Sequence, residues 1–291
     1  KALNTEVDQL KKSFSKAVLW ILLLLAAATG TTYAWFTLTG INSTNVTPMA
    51  GTVSKGDTVL LISTSESGPF DKTCDLVLNG NPDSLKPLST ENLEHFYRST
   101  AQNKNGIAVL YSNADSRVDQ DAVHGTVYLQ CQNAPCKVYF DREKLSLGSD
   151  AQALAAMRLG MKITSHEGTS TFIWRLDEMG STSGAQSVLT VPRSSTVVSS
   201  VSDNGQASYA DDPAQDITAY MAENGEAENE YKDGSQILVQ LNADEVASVE
   251  YWLYLEGCDE QCSNPVQNRD SEIQLAFAGV DLDESEKGEQ P

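Results

Sequence analysis

The residues of this chain whose chemistry depends most on spacing are its five cysteines and three histidines. Cys131 and Cys136 bracket the tetrapeptide QNAP, and Cys258 and Cys262 bracket DEQ. Close pairs of this kind behind an export signal predict disulfides, each closing a small loop at the end of a strand. Cys74 is then either left over or paired at long range, and sequence spacing does not choose. Zinc is the rival reading of the same sulfurs. It finds little support, because His95, His124 and His166 each stand apart from a cysteine pair rather than at ligand spacing.

Other groupings point to no reaction. The chain contains no glycine-rich phosphate loop, no HExxH, no GxSxG and no cysteine–histidine dyad pattern. The three histidines read as isolated: His95 in a helix, His124 in a turn, His166 in a loop. Asp211 with Asp212, and Asp281 with Asp283, place carboxylates close enough to attract a hard cation, yet the EF-hand spacing is missing. They read as solvated acidic loops. Trp174, Trp252, Tyr251 and Tyr254 read as core aromatics rather than a sugar platform. No catalytic residue, metal site or cofactor is expected, and the chain does not read as an enzyme.

Charge narrows the partners. With 40 acidic against 20 basic residues the net charge is −20. A phosphate-binding protein needs a basic face, so this balance argues against nucleic acid and against adhesion to anionic lipid heads.

One segment reverses this composition. Residues 17–50 carry no charged side chain, and the stretch AVLWILLLLAAATGTTYAWFTL has about the 20 residues that a helix needs to cross a hydrocarbon layer. Lys11, Lys12 and Lys16 precede it, which places the N-terminus in the cytoplasm and the remainder outside. The apolar pattern begins earlier still. Leu3, Val7, Leu10, Phe14, Ala17, Ile21, Leu24 and Ala28 alternate steps of four and three, a heptad seam. Residues 1–38 therefore read as one long hydrophobic helix. It is a single-pass anchor, a packing helix in a filament core, or a removed signal; the seam favours packing against copies of itself.

Residues 39–56, rich in Gly, Thr, Ser, Asn and Pro, read as a linker. Asn42 and Asn45 within them match the N-glycosylation pattern. Beyond lie about ten short β-branched or aromatic runs separated by turn residues, which predict a mainly β outer domain, sandwich- or jelly-roll-like, over residues 57–280. The runs cover residues 58–63, 107–111, 126–130, 137–140, 157–164, 171–176, 187–191, 236–241, 247–256 and 272–278. Alternation is cleanest in Val249, Tyr251, Leu253, Leu255 and in Ile273, Leu275, Phe277, which should face a core. Trp252 and Tyr254 fall on the opposite face, so that strand should be covered on both sides. Short helices are expected at residues 89–99, 149–157 and 211–223. An acidic insertion occupies residues 197–233, and residues 281–291 form a disordered acidic tail.

Two stretches carry a family resemblance. Residues 22–37, LLLLAAATGTTYAWFT, resemble the export segment of the TasA and camelysin group of Gram-positive surface proteins, where an apolar run ends in a Thr/Ala-Tyr-Ala-Trp/Tyr-Phe element. Residues 251–279 are similar to the last two strands of related clostridial surface proteins, sharing Glu256-Gly257-Cys258-Asp259, then Cys262 and Asn264-Pro265. The resemblance implies a jelly-roll-like secreted protein that assembles into extracellular fibres, by strand exchange in the TasA case. Camelysin relatives carry a peptidase label, which no motif here matches. Such proteins lose the apolar segment on export; a retained segment is closer to a type IV pilin plan, although the acid of those pilin helices has no counterpart in this apolar run.

Together these readings predict a homopolymeric surface filament subunit, inserted in the membrane before or instead of assembly. The alternative is a monomeric, membrane-anchored module binding sugar or calcium.

Overall fold

The computed structural model of the chain describes residues 43–52, 59–74, 79–80, 85–102, 108–142, 145, 154, 156–176, 196–221, 234–259, 262 and 270–282. The heptad seam from Leu3 to Ala28, Asn42, the expected strand at 187–191 and residues 283–291 lie outside them. Among the described residues, no helix is long and apolar enough to cross a membrane.

The described chain is mainly β. Its strands are β1 (Ser43–Thr52), β2 (Val59–Ser63), β3 (Thr73–Cys74), β4 (Asn79–Gly80), β5 (Pro87–Leu88), β6 (Tyr97–Gln102), β7 (Ala108–Asn113), β8 (Val123–Gln132) and β9 (Cys136–Phe140). There follow β10 (Met157–Ser165), β11 (Gly168–Arg175), β12 (Thr196–Val201), β13 (Ala207–Asp211), β14 (Gln215–Asp216), β15 (Val239–Leu241), β16 (Val246–Glu256) and β17 (Asp270–Asp281). Two short helices, α1 (Val118–Asp121) and α2 (Ile217–Met221), interrupt them.

One large sheet runs β15-β9-β17-β1-β3, and the other runs β14-β11-β10-β16-β8-β2, with β4 and β5 attached at its side. Two hairpins, β6-β7 and β12-β13, form small sheets of their own. Val127 and Leu129 of β8, Met161 and Ile163 of β10, and Val249 and Leu253 of β16 share one cluster with Val138 and Phe140 of β9 and with Ile273, Leu275 and Phe277 of β17. The main core therefore takes side chains from both large sheets.

The period-two alternation of β16 does what its sequence implies. Val249, Tyr251, Leu253 and Leu255 enter that main core. Tyr254 and the half-buried Trp252 enter a second cluster on the other face, built on Leu88, Leu93 and Phe96. A third, smaller cluster holds Tyr97, Tyr111 and Val198, with Cys258 against it.

Three expectations are corrected. Residues 43–52, expected as linker, form β1, which runs parallel to β17 from Ser43↔Asp270 to Thr52↔Ala278 and antiparallel to β3. Thr44, Val46, Thr47 and Thr52 are β-branched, so the segment suits a pleated ladder despite its linker-like composition. Residues 89–99 are not a helix. Thr90 Oγ1 accepts the Leu93 N–H at 3.0 Å, but Leu93 takes φ 59°, so the capping side chain closes a turn and the chain passes into β6. Finally, the first part of the expected insertion is the ordered β12-β13 hairpin, whose ladder runs from Thr196↔Asp211 to Val201↔Ala207.

Candidate functional site

A buried polar grouping gathers at the end of β16. Arg158 enters from β10, where it sits opposite Tyr254. Its Nη2 donates to Asp259 Oδ2 at 2.7 Å and lies 3.5 Å from Asp212 Oδ2. Burial disfavours the guanidinium charge, but Asp259, Glu256 and Asp212 outweigh it and hold the proton more firmly than usual. Asp212 also accepts the Ala214 N–H at 2.9 Å and lies 3.9 Å from Arg175 Nη1, while Arg175 Nε reaches Asp216 at 3.1 Å. This network ties the segment after β13 to β10 and β11.

Glu256 closes the same grouping. It is 1% exposed, and its Oε1 accepts the Cys258 N–H at 3.0 Å. Burial raises its carboxyl to about 8, against the opposing pull of Ser89 and Arg158. Ser89 Oγ in turn accepts the Val198 N–H at 2.9 Å, and the Ser89 backbone exchanges hydrogen bonds with Tyr97 at 2.8 and 2.9 Å.

The two hairpins sit beside this junction and touch each other, the Tyr111 N–H donating to Gly205 O at 2.8 Å. Between them lies a cleft of about 400 Å³, lined by Tyr97, Tyr111, His95, Asn113, Ser202 and Asp203 among others. The tyrosine hydroxyls are engaged elsewhere: Tyr97 donates to Ser199 O at 3.3 Å, and Tyr111 contacts Cys258 Sγ at 3.8 Å. Burial, then Asp115 and Glu91, raise the Tyr97 hydroxyl. At the rim, Asp115 Oδ2 receives Asn113 Nδ2 at 2.7 Å and lies 3.0 Å from His95 Nδ1. Asp115 Oδ1 accepts the Phe96 N–H at 2.7 Å. Burial raises this carboxyl, yet the bonds from Asn113, Phe96 and His95 prevail and lower it. The arrangement offers ring surface inside and preset polar groups outside, which suits binding more than bond-breaking.

The histidines are not isolated. His95 pairs with Asp115, His124 with Asp119, and His166 with Glu245. His95 precedes β6 rather than lying in a helix, and His124 lies inside β8 rather than in a turn. Among the described residues no three His, Cys, Asp or Glu side chains converge to hold a metal ion.

The cysteines divide. Cys131 and Cys136 form the expected disulfide, which links the end of β8 to the start of β9 and so joins the two large sheets at one corner. Cys258 and Cys262, expected as a second disulfide, remain thiols. The reason is directional: Cys258 packs on the small third cluster and Cys262 on the main core. Burial first, then Glu256, raises the Cys258 thiol to about 12, and burial raises Cys262 as well, so neither is an activated nucleophile.

Trp174, Tyr251 and Tyr254 are core residues, Trp174 stacking on Phe172 at 5.2 Å and meeting Phe140 edge-on at 5.0 Å. The cleft and the buried junction escaped sequence reasoning. Their residues come from distant stretches, and the sequence marked His95, Asp212 and the Glu256–Asp259 run singly, without showing that they gather here. No family model, curated protein or solved structure matches the chain.

Proposed function

We propose that the protein is a structural subunit of an extracellular surface filament. Residues 1–38 form a helix packed along the filament core, and the β-domain, jelly-roll-like in plan, faces solvent. The observation that carries this reading is the unbroken seam Leu3, Val7, Leu10, Phe14, Ala17, Ile21, Leu24, Ala28, running into a charge-free segment that leads to β1. A helix apolar all round past Lys16 must bury that surface against something, and copies of itself satisfy the seam. The protein is a homopolymer inserted in the membrane during export. It has no catalytic role and needs no cofactor or nucleic acid. Electron microscopy of surface material from cells carrying Ile21→Asp tests it. Loss of filaments is expected, and normal filaments overturn the reading.

A second reading, a monomeric membrane-anchored binding module, is favoured by the cleft between the hairpins. Tyrosine rings under a rim of Asn, Ser, His and Asp suit a neutral saccharide. A shift in melting temperature of the detergent-solubilised chain with maltotriose, together with a monomeric mass, would support it over the filament.

A further inference from the structure

Glu256 ends β16 where the three hydrophobic clusters meet. Leu255 beside it belongs to the main core, Tyr254 to the second cluster, and Cys258 two residues on packs against the third. Its Oε1 is bonded to the Cys258 N–H, whereas its Oε2 is buried with no hydrogen-bond partner. The strand end is pinned on both sides, the Glu256 N–H donating to Ala156 O and the Gly257 N–H to Leu88 O, each at 2.7 Å. Ser89, which contacts the carboxyl, is also the acceptor for Val198 on β12 and the backbone partner of Tyr97 on β6. One carboxyl group and one hydroxyl thus form a link from the two-sheet body to both hairpins, beside the Arg158–Asp212 pair after β13 and the Arg98–Asp121 pair at β6.

The charges around this carboxyl leave none to spare for it. Arg158 on β10 is held by Asp259 in the turn and by Asp212 after β13. Arg175 on β11 is shared between Asp212 and the half-solvated Asp216. The other titratable neighbours are Tyr254, Cys258 and Cys262, all held in their neutral forms by burial. An ionised Glu256 would be a buried negative charge beside two aspartates whose cations are already matched. Such a charge is expelled or neutralised.

We infer that Glu256 is a protonation-controlled latch: as a neutral carboxylic acid it fastens the β6-β7 and β12-β13 hairpins to the body, and release of its proton to water accompanies their opening. No bond other than O–H changes. The sign follows from linkage. The closed form keeps the proton up to about pH 8, and an opened, solvated carboxyl loses it near its ordinary 4.5. Between those values the opening equilibrium gains about tenfold per pH unit, and outside them it is flat. The lobe is therefore tightest in acid.

Hydrogen exchange on the full chain at pH 5.5, 6.5 and 7.5, corrected for intrinsic rates, tests this. Amides of residues 97–102, 108–113 and 196–211 should lose protection about tenfold per pH unit, while those of β16 and β17 hold steady. Glu256→Gln should remove the slope. Ser89→Ala should lower lobe protection by a constant factor and keep the slope. Flat protection in the wild type, equal slopes in lobe and body, or an unchanged slope in Glu256→Gln each overturn the latch. If Glu256→Gln fails to fold, the wild-type and Ser89→Ala slopes decide the matter.

Discussion

Arg158 Nη2 and Asp259 Oδ2 lie 2.7 Å apart, and neither side chain exposes more than 1% of its surface. A pair so deeply placed is costly to break singly. Arg158→Met removes the cation bonded to buried Asp259 and leaves Asp212 only Arg175 at 3.9 Å, and about 3–5 kcal/mol of stability should be lost in urea unfolding. Replacing Arg158, Asp212 and Asp259 together by apolar residues of similar volume should recover most of it. A single variant as stable as the wild type contradicts this account.

The tip of the β15–β16 connection holds a second, more open charge pair. Glu245 Oε1 accepts the His166 N–H at 2.7 Å, its Oε2 accepts the Asn242 N–H at 2.8 Å, and His166 Nδ1 lies 2.6 Å from Oε2. Burial raises this carboxyl, but those donors prevail and lower it. A carboxyl lowered by folding stabilises the protein above its unfolded value, and that contribution fades as pH falls through the folded value. Glu245→Gln should therefore lower stability by about 1.5 kcal/mol at pH 7, with the gap closing below pH 4. Urea midpoints that stay equally far apart at pH 7 and pH 3 would argue for another cause.

Two glycines are fixed by close approach rather than by backbone conformation. A Cβ at Gly279 of β17 would stand 2.9 Å from Leu60 Cβ and 3.5 Å from Cys136 Sγ, both near-rigid neighbours. A Cβ at Gly160 of β10 would stand 2.5 Å from Leu93 Cδ2, the end of a flexible chain. Each Gly→Ala change should destabilise by about 1–3 kcal/mol. Leu93→Ala should relieve the clash at residue 160 and leave that at 279 untouched. Additive losses in the Gly160–Leu93 double variant would disprove the contact.

The Cys131–Cys136 disulfide closes a short loop, so its effect through the unfolded chain is modest. Changing both to Ser should lower stability by about 2 kcal/mol by the loop-entropy relation. Reduction under native conditions should have the same size of effect, measured as a shift in the unfolding midpoint. Equal stability with and without the bond would show that packing alone holds that corner.

Much of the sheet structure was legible because side chains alternate with period two. The inward faces of β16 and β17, and the second cover over Trp252 and Tyr254, follow from that alternation alone. Other features required knowing what each segment meets. Ser43–Thr52 has the composition of a linker and becomes a strand only because β17, more than two hundred residues later, offers it a ladder. Thr90 supplies a cap whether or not a helix follows, so the motif could not distinguish a turn from a helix. Cys258 and Cys262 have disulfide spacing, but their sulfurs serve different cores. The junction gathers Ser89, Arg158, Asp212, Glu256 and Asp259 from distant parts of the chain, and no local pattern announces such a meeting.

The parallel pairing of β1 with β17 has a mechanical consequence. The chain enters this pair at Ser43, and it leaves β17 at Asp281, toward the opposite end of the shared ladder. A force pulling residues 42 and 282 apart would load the two strands in shear. The ladder bonds would then resist together rather than unzip one at a time. Single-molecule extension through those two points should give a high, single-step rupture force, and one through residues 196 and 211 at the open end of the β12-β13 hairpin a low one. A domain strung end to end under tension would be strongest along the line by which its own chain passes through it.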